Sequence, residues 1–177
     1  MKHATRVAAA GSWPPAERVD TITLIYDDRY RRRLRLLGDG GTDFLLDLPE
    51  PRVLRDGDGL VLDEGGTVLV KAADEPLVEI RARDAALFTR LAWHLGNRHL
   101  PTQIDGDRML IRDDHVIVDM LAGLGAEVRR VSAPFNPEGG AYGQHNHDLS
   151  HPHRHSEPLS AREAGGEGGA HAAGMGG

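Results

Sequence analysis

Leu77-Val78-Glu79-Ile80-Arg81-Ala82-Arg83-Asp84-Ala85-Ala86-Leu87-Phe88 changes its hydrophobic period in mid-run, and that change decides the fold. From Leu77 to Arg83 the residues alternate as in a strand, with Val78, Ile80 and Ala82 on one side and Leu77, Glu79, Arg81 and Arg83 on the other. Asp84 is a good helix N-cap, and past it Leu87, Phe88, Leu91 and Leu95 recur at helical spacing. The spacing predicts a strand followed by a helix through Leu95. Gly96 can close that helix, and Pro101 forbids its continuation.

Downstream, Thr102 to Ile104 and Arg108 to Ile111 flank Asp105-Gly106-Asp107, a hairpin signal. Asp113 or Asp114 caps a second helix with Val116, Ile117, Met120, Leu121 and Leu124 as its core face, ended by Gly123 or Gly125. Ala126 to Val131 reads as a closing strand. The order β-α-β-β-α-β is that of a ferredoxin-like split βαβ unit.

Upstream, Lys71-Ala72-Ala73-Asp74-Glu75-Pro76 marks a boundary. Before it, Phe44-Leu45-Leu46, Leu60-Val61-Leu62 and Val68-Leu69-Val70 alternate with glycine-rich turn signals at Gly38–Gly41, Asp56–Gly59 and Asp63–Gly66, which predicts a small β domain of hairpins. Asp56-Gly57-Asp58-Gly59 lacks the remaining ligands of a calcium loop and reads as a turn. The basic run Arg31 to Leu37 reads as a strand with Arg33 and Arg35 toward solvent and Leu34 and Leu36 toward the core. The chain is thus α+β: a loose lead-in (1–18), an all-β domain (19–74), a ferredoxin-like domain (75–143) and a disordered, histidine-rich tail (144–177).

Composition narrows the chemistry. The 177 residues include ten histidines and no cysteine, so disulfides, thiolate metal sites and cysteine nucleophiles are excluded. Nitrogen and oxygen donors suit Ni2+, Cu2+, Zn2+ or Co2+ better than Cu+. A formal charge of −6 argues against nucleic-acid binding. No apolar run approaches the ~18–20 residues of a membrane span, and the short N-terminal apolar stretch makes a poor signal peptide, so cytoplasm is the expectation. Enzyme signatures are missing: there is no His-Glu-x-x-His helix and no Gly-x-Ser-x-Gly elbow.

The histidines point instead to metal binding. His99 lies in the short connection between helix and proline, where its plain alternative is a helix-end histidine bonding a carbonyl. His94 lies beside the Leu91 stripe, and partial burial fits it better than ligation. His115 sits in the first turn of the second helix, where the dipole disfavours the cation but permits a neutral ligand. In the tail, His145-x-His147 and His151-x-His153-x-His155 present imidazoles at every second residue, on one side of an extended chain. Together these residues suggest a metal carrier.

The stretches Gly96-Asn97-Arg98-His99-Leu100-Pro101-Thr102-Gln103-Ile104, Asp114-His115-Val116 and Pro134-Phe135-Asn136-Pro137-Glu138-Gly139-Gly140-Ala141-Tyr142-Gly143 resemble the UreE family of urease accessory proteins. Leu45-Leu46-Asp47-Leu48-Pro49 and Leu54-Arg55-Asp56-Gly57-Asp58 extend the resemblance over about residues 20–155. The resemblance implies a nickel metallochaperone with an N-terminal domain sometimes called peptide-binding. It further implies a homodimer with His99 on the two-fold axis, both copies contacting one metal, and His145 and His147 completing the site. Of the family's auxiliary His-x-His pair only His115 is matched, by Asp113-Asp114-His115. Tail residues His151, His153 and His155 imply modest storage, with Zn2+ or Cu2+ as competitors in vitro. The implied partners are the GTPase UreG and the complex of accessory proteins with the urease apoprotein; no nucleic acid or membrane is implied. A passive buffer using the tail alone is the competing expectation.

Overall fold

The computed structural model describes residues 1–139. Six strands form the first sheet: β1 (Lys2–Ala8), β2 (Arg18–Leu24), β3 (Tyr30–Leu37), β4 (Asp43–Val53), β5 (Gly59–Leu62) and β6 (Thr67–Ala72), in the order β2-β6-β5-β1-β4-β3. Two of the three glycine-marked turns make hairpins, β3–β4 and β5–β6, whereas the turn at Asp56–Gly59 joins β4 to β5, which β1 separates in the sheet. The other pairings are long-range, with β1 parallel to β4 and β2 parallel to β6.

The loose lead-in expected over residues 1–18 is therefore corrected, because β1 lies inside the sheet between β4 and β5. Lys2-His3-Ala4-Thr5-Arg6-Val7 offers few large apolar residues to signal a strand. Its place is set by backbone pairing on both edges and by Ala4, a small side chain buried at the core. In β3 the alternation holds at Leu36, which is buried, but fails at Leu34, which is 40% exposed. Arg31, Arg33 and Arg35 are paired with Asp28, Asp47 and Asp43, so this basic run is locally neutralised.

The sheet curls until its edges meet. From β2, Asp20 accepts the N–H groups of Gly40 and Thr42 at 2.8 and 2.9 Å, and Thr21 O accepts Asp39 N–H at 2.7 Å. Burial alone would raise the Asp20 carboxyl. The hydrogen bonds from Thr42, Thr21 and Gly40 outweigh it and bring the pKa down to about 2.

The second unit runs β7 (Asp74–Arg81), α1 (Ala85–Gly96), β8 (Gln103–Asp105), β9 (Arg108–Arg112), α2 (His115–Gly123) and β10 (Glu127–Pro134). Its strands lie in the order β10-β7-β9-β8, every neighbour antiparallel. Asp84 caps α1 by accepting Leu87 N–H at 2.7 Å, and Asp114 caps α2 through Val116 and Ile117. Leu87, Leu91 and Leu95 of α1 and Ile117 and Leu121 of α2 bury against Val78, Ile80, Met109 and Ile111. Val116, expected on the core face, is 61% exposed, because the α2 stripe is centred on Ile117 and Leu121.

On the sheet face away from the helices, Leu77 and Leu110 are covered by Phe135. Glu79 is ringed there by Arg108, Arg81 and Arg129. The Arg108 hydrogen bond is the main cause that holds its carboxyl below the usual range, against the opposing effect of burial. The two units meet where Tyr26 packs edge-on against Phe135, with centroids 5.4 Å apart, and Arg112 donates to Asp27 at 2.8 and 2.9 Å. Among the described residues no helix is long and apolar enough to cross a membrane.

Candidate metal centre

Both helices end in the same hydrogen-bonded motif, and the difference between them singles out one residue. At the end of α2, Gly125 N–H donates to Ala122 O at 2.9 Å and Ala126 N–H to Leu121 O at 3.0 Å. Gly125 has φ +91, the left-handed conformation that glycine adopts without steric cost. At the end of α1, His99 N–H donates to Gly96 O at 3.0 Å and Leu100 N–H to Leu95 O at 3.4 Å. His99 occupies the glycine position, with φ +55, and no other described non-glycine residue has a positive φ.

A residue with a Cβ at such a position stores backbone strain of about 1 kcal/mol or more, and strain of this kind clusters at functional sites. α1 ends at Gly96, as expected, but the left-handed residue falls three positions later, on the histidine. The side chain of His99 is exposed. It borders a cleft of about 1080 Å3 between the two units, which Arg6, Tyr30, Arg52, Ile104 and Gly139 also line.

After β10 the chain turns back toward this loop. Phe135 is buried, and Asn136 N–H donates to Gln103 Oε1 at 2.7 Å. Glu138 N–H donates to Thr102 O at 2.9 Å. As the numbering rises from 136 to 138 the partner falls from 103 to 102, so the root of the tail runs back along the loop toward His99. Gly139 then lines the same cleft as His99.

The other predicted site residues fall as follows. His115 is the first residue of α2 and is exposed; the adjacent Asp113 and Asp114 share a small cavity of about 370 Å3 with Leu100 and Pro101 of the His99 loop. His94 is half-buried, edge-on to Trp93 with ring centroids 5.0 Å apart, and its carbonyl accepts Arg98 Nη1. His145, His147, His151, His153 and His155 lie outside the described residues. Among the described residues no three His, Asp or Glu side chains converge as a metal-holding group.

Sequence reasoning gave no role to the stitching by Gln103 and Thr102, and missed Arg29 altogether. Arg29 is separated by one residue from the basic run Arg31-Arg32-Arg33, and nothing local sets this buried arginine apart from those neighbours.

Comparison with known proteins covers both units. Residues 2–73 match the family model described as UreE urease accessory protein, N-terminal domain, and residues 75–158 match its C-terminal domain. The chain is 54% identical to the urease accessory protein UreE of Chelativorans sp. (strain BNC1) over 143 residues, 78% of this chain and 90% of that one. It is 54% identical over 147 residues to the protein of that name from Bradyrhizobium sp. (strain ORS 278), covering 83% of this chain and 70% of the relative. The Rhodobacter capsulatus protein is 47% identical over 158 residues, 86% and 97% of the two chains.

Proposed function

The chain belongs to the UreE family of urease accessory proteins, and from that premise we propose that it carries Ni2+ to the urease apoprotein. Membership gives it a role in urease maturation and makes it an accessory protein, not a catalyst. One observation carries the step to metal transport: the segment just after a strained, exposed histidine is hydrogen-bonded, at Thr102 and Gln103, to the root of the histidine-rich tail. The tail supplies His145 and His147 six and eight residues beyond Gly139. At ~3.3 Å per extended residue the nearer one has a reach of roughly 20 Å.

In this reading the ferredoxin-like unit presents His99 as a fixed donor, and a homodimer brings two copies of it to one ion. Trp93 is 63% exposed and Val116 61%, and this apolar surface on the two helices supports such a pairing. His145 and His147 complete the shell, while His115, His151, His153 and His155 add weaker capacity. Transfer is then ligand exchange: neutral imidazoles release the ion one at a time to UreG and the apoprotein complex, in the cytoplasm.

The test is a calorimetric nickel titration of the full chain, of His99→Ala and of a chain ending at Gly143, with mass measured alongside. His99→Ala should fold and lose the tightest binding step, and the shortened chain should lose capacity. Unchanged tight binding by His99→Ala would leave the tail as a passive buffer, and a strict monomer with and without metal would remove the shared-axis site.

A further inference from the structure

Arg29 follows the short helical turn Tyr26–Asp28 in the N-terminal unit, and its side chain is completely buried. A buried guanidinium is costly unless its charge is matched closely. Arg29 makes no ion pair among the described residues; Glu75 and Asp56 oppose the desolvation of its charge only as nearby charges. Its Nε has no hydrogen-bond partner among the described residues. The remaining nitrogens are all spent on uncharged oxygens. Nη2 donates to Phe135 O, and Nη1 donates to Asn136 Oδ1 at 3.1 Å and to Leu54 O at 3.4 Å. The guanidinium also lies over the Tyr26 ring, 5.5 Å from its centroid, and Tyr26 in turn packs on Phe135.

An apolar side chain would fill this junction at lower cost in stability. What the arginine adds is direction, because its planar fork fixes two consecutive residues of the tail root at once. Those residues are the ones that hand the chain on to the His99 loop: Asn136 donates to Gln103, and Glu138 to Thr102. The N-terminal unit therefore grips residues 135–136 from one side while the loop beyond His99 holds 136–138 from the other.

We propose that Arg29 is a positioning residue for the metal site, by which the N-terminal unit holds the root of the histidine tail against the His99 loop. This rests on the metal-carrier reading above, and it gives the N-terminal unit a part in metal binding itself. Arg29 touches no metal. It acts through Phe135 and Asn136.

The test uses Arg29→Met and Arg29→Lys in the full-length protein, each also made in a chain ending at Gly143. Amide exchange read without metal comes first. Arg29→Met should lose protection at Asn136 and Glu138 by about tenfold or more while Val78 and Ile80 keep theirs, and Arg29→Lys should be intermediate. Unchanged exchange at Asn136 and Glu138, or equal loss at Val78 and Ile80, overturns the clasp. In nickel titrations Arg29→Met should weaken the tight step on the order of 10–100-fold, as loss of a supporting contact does. In the shortened chain the same substitution should add nothing. An equal loss with and without the tail overturns positioning in favour of a merely structural role. A shortened chain that binds like the full one instead sinks the tail-ligand reading, while the exchange result still judges the clasp. If Arg29→Met does not fold, the Lys variant is read in the same two assays against the same outcomes.

Discussion

Replacing His99 by glycine should make the protein more stable than replacing it by alanine, and both should bind nickel poorly. The two substitutions remove the same imidazole, so whatever packing or ligation it provides cancels in the comparison. What differs is the backbone. At φ +55 an L-residue with a Cβ costs roughly 1–2 kcal/mol relative to its relaxed conformation, and glycine costs nothing. Against this, glycine's freer unfolded chain takes back about 0.5–1 kcal/mol. The net advantage of His99→Gly over His99→Ala is then centred on ~0.75 kcal/mol within a range of ~0–1.5, or a melting shift of roughly 2–3 °C for a chain of this size. Urea or thermal unfolding of the metal-free protein, followed through the α1 region, reads it directly. Gly125 supplies the internal control, since Gly125→Ala imposes the same cost at the equivalent position of α2 and should destabilise by a similar amount. If His99→Ala proves as stable as His99→Gly while Gly125→Ala is costly, the two helix ends are not equivalent and the strain argument fails.

Two further outcomes concern the seam of the curled sheet. The Asp20 pKa is lowered from the ordinary 3.8 to about 2, so the carboxylate contributes stability above pH ~4 that is lost as the pH falls toward 2. That contribution is on the order of 2 kcal/mol. Asp20→Asn should therefore destabilise at neutral pH, because one of its polar atoms becomes a donor facing Thr42 N–H or Gly40 N–H, and acid titration of stability between pH ~4 and ~2 should flatten; an unchanged acid limb would remove Asp20 from that role. Gly38→Ala would put a Cβ 2.3 Å from Asp20 Oδ2 and 3.2 Å from Thr21 O, and should cost about 1–3 kcal/mol in denaturant unfolding, whereas Gly123→Ala, with nothing within 4 Å, should be neutral or stabilising. Equal stability of those two variants would show that the seam yields without cost.

What the sequence made legible follows from how local each cause is. The switch of period at Arg83-Asp84 is a property of adjacent residues, and it located the cap and α1 to within a residue and β7 to within three. The glycine turns gave the two hairpins for the same reason. β1 escaped notice because its partners lie about 40 and 60 residues away and its one core residue is an alanine. Val116 and Leu34 were apolar at the right period but lie just off the centre of a stripe that only packing defines. The exposed place of His99 just past the helix was legible from the helix–proline junction. Its left-handed backbone was not, because Gly96 was the more obvious residue to adopt that conformation.

The contact between the N-terminal unit and the segment after the last strand also lies outside local pattern. Arg29 and Asn136 are 107 residues apart in sequence, and the contact between them has no signature in either neighbourhood. Residues 135–138 look from sequence like an unstructured run after the last strand, since Pro134 and Pro137 break any period. In the fold the same prolines suit the segment: Pro137 has no N–H to satisfy, and it falls between the two residues, Asn136 and Glu138, whose N–H groups are used on the His99 loop. The alternation of donor and non-donor lets one edge of the segment pair with the loop while the other edge faces Arg29. The segment 135–138 is thus held on both sides, by Arg29 on one and by Thr102 and Gln103 on the other.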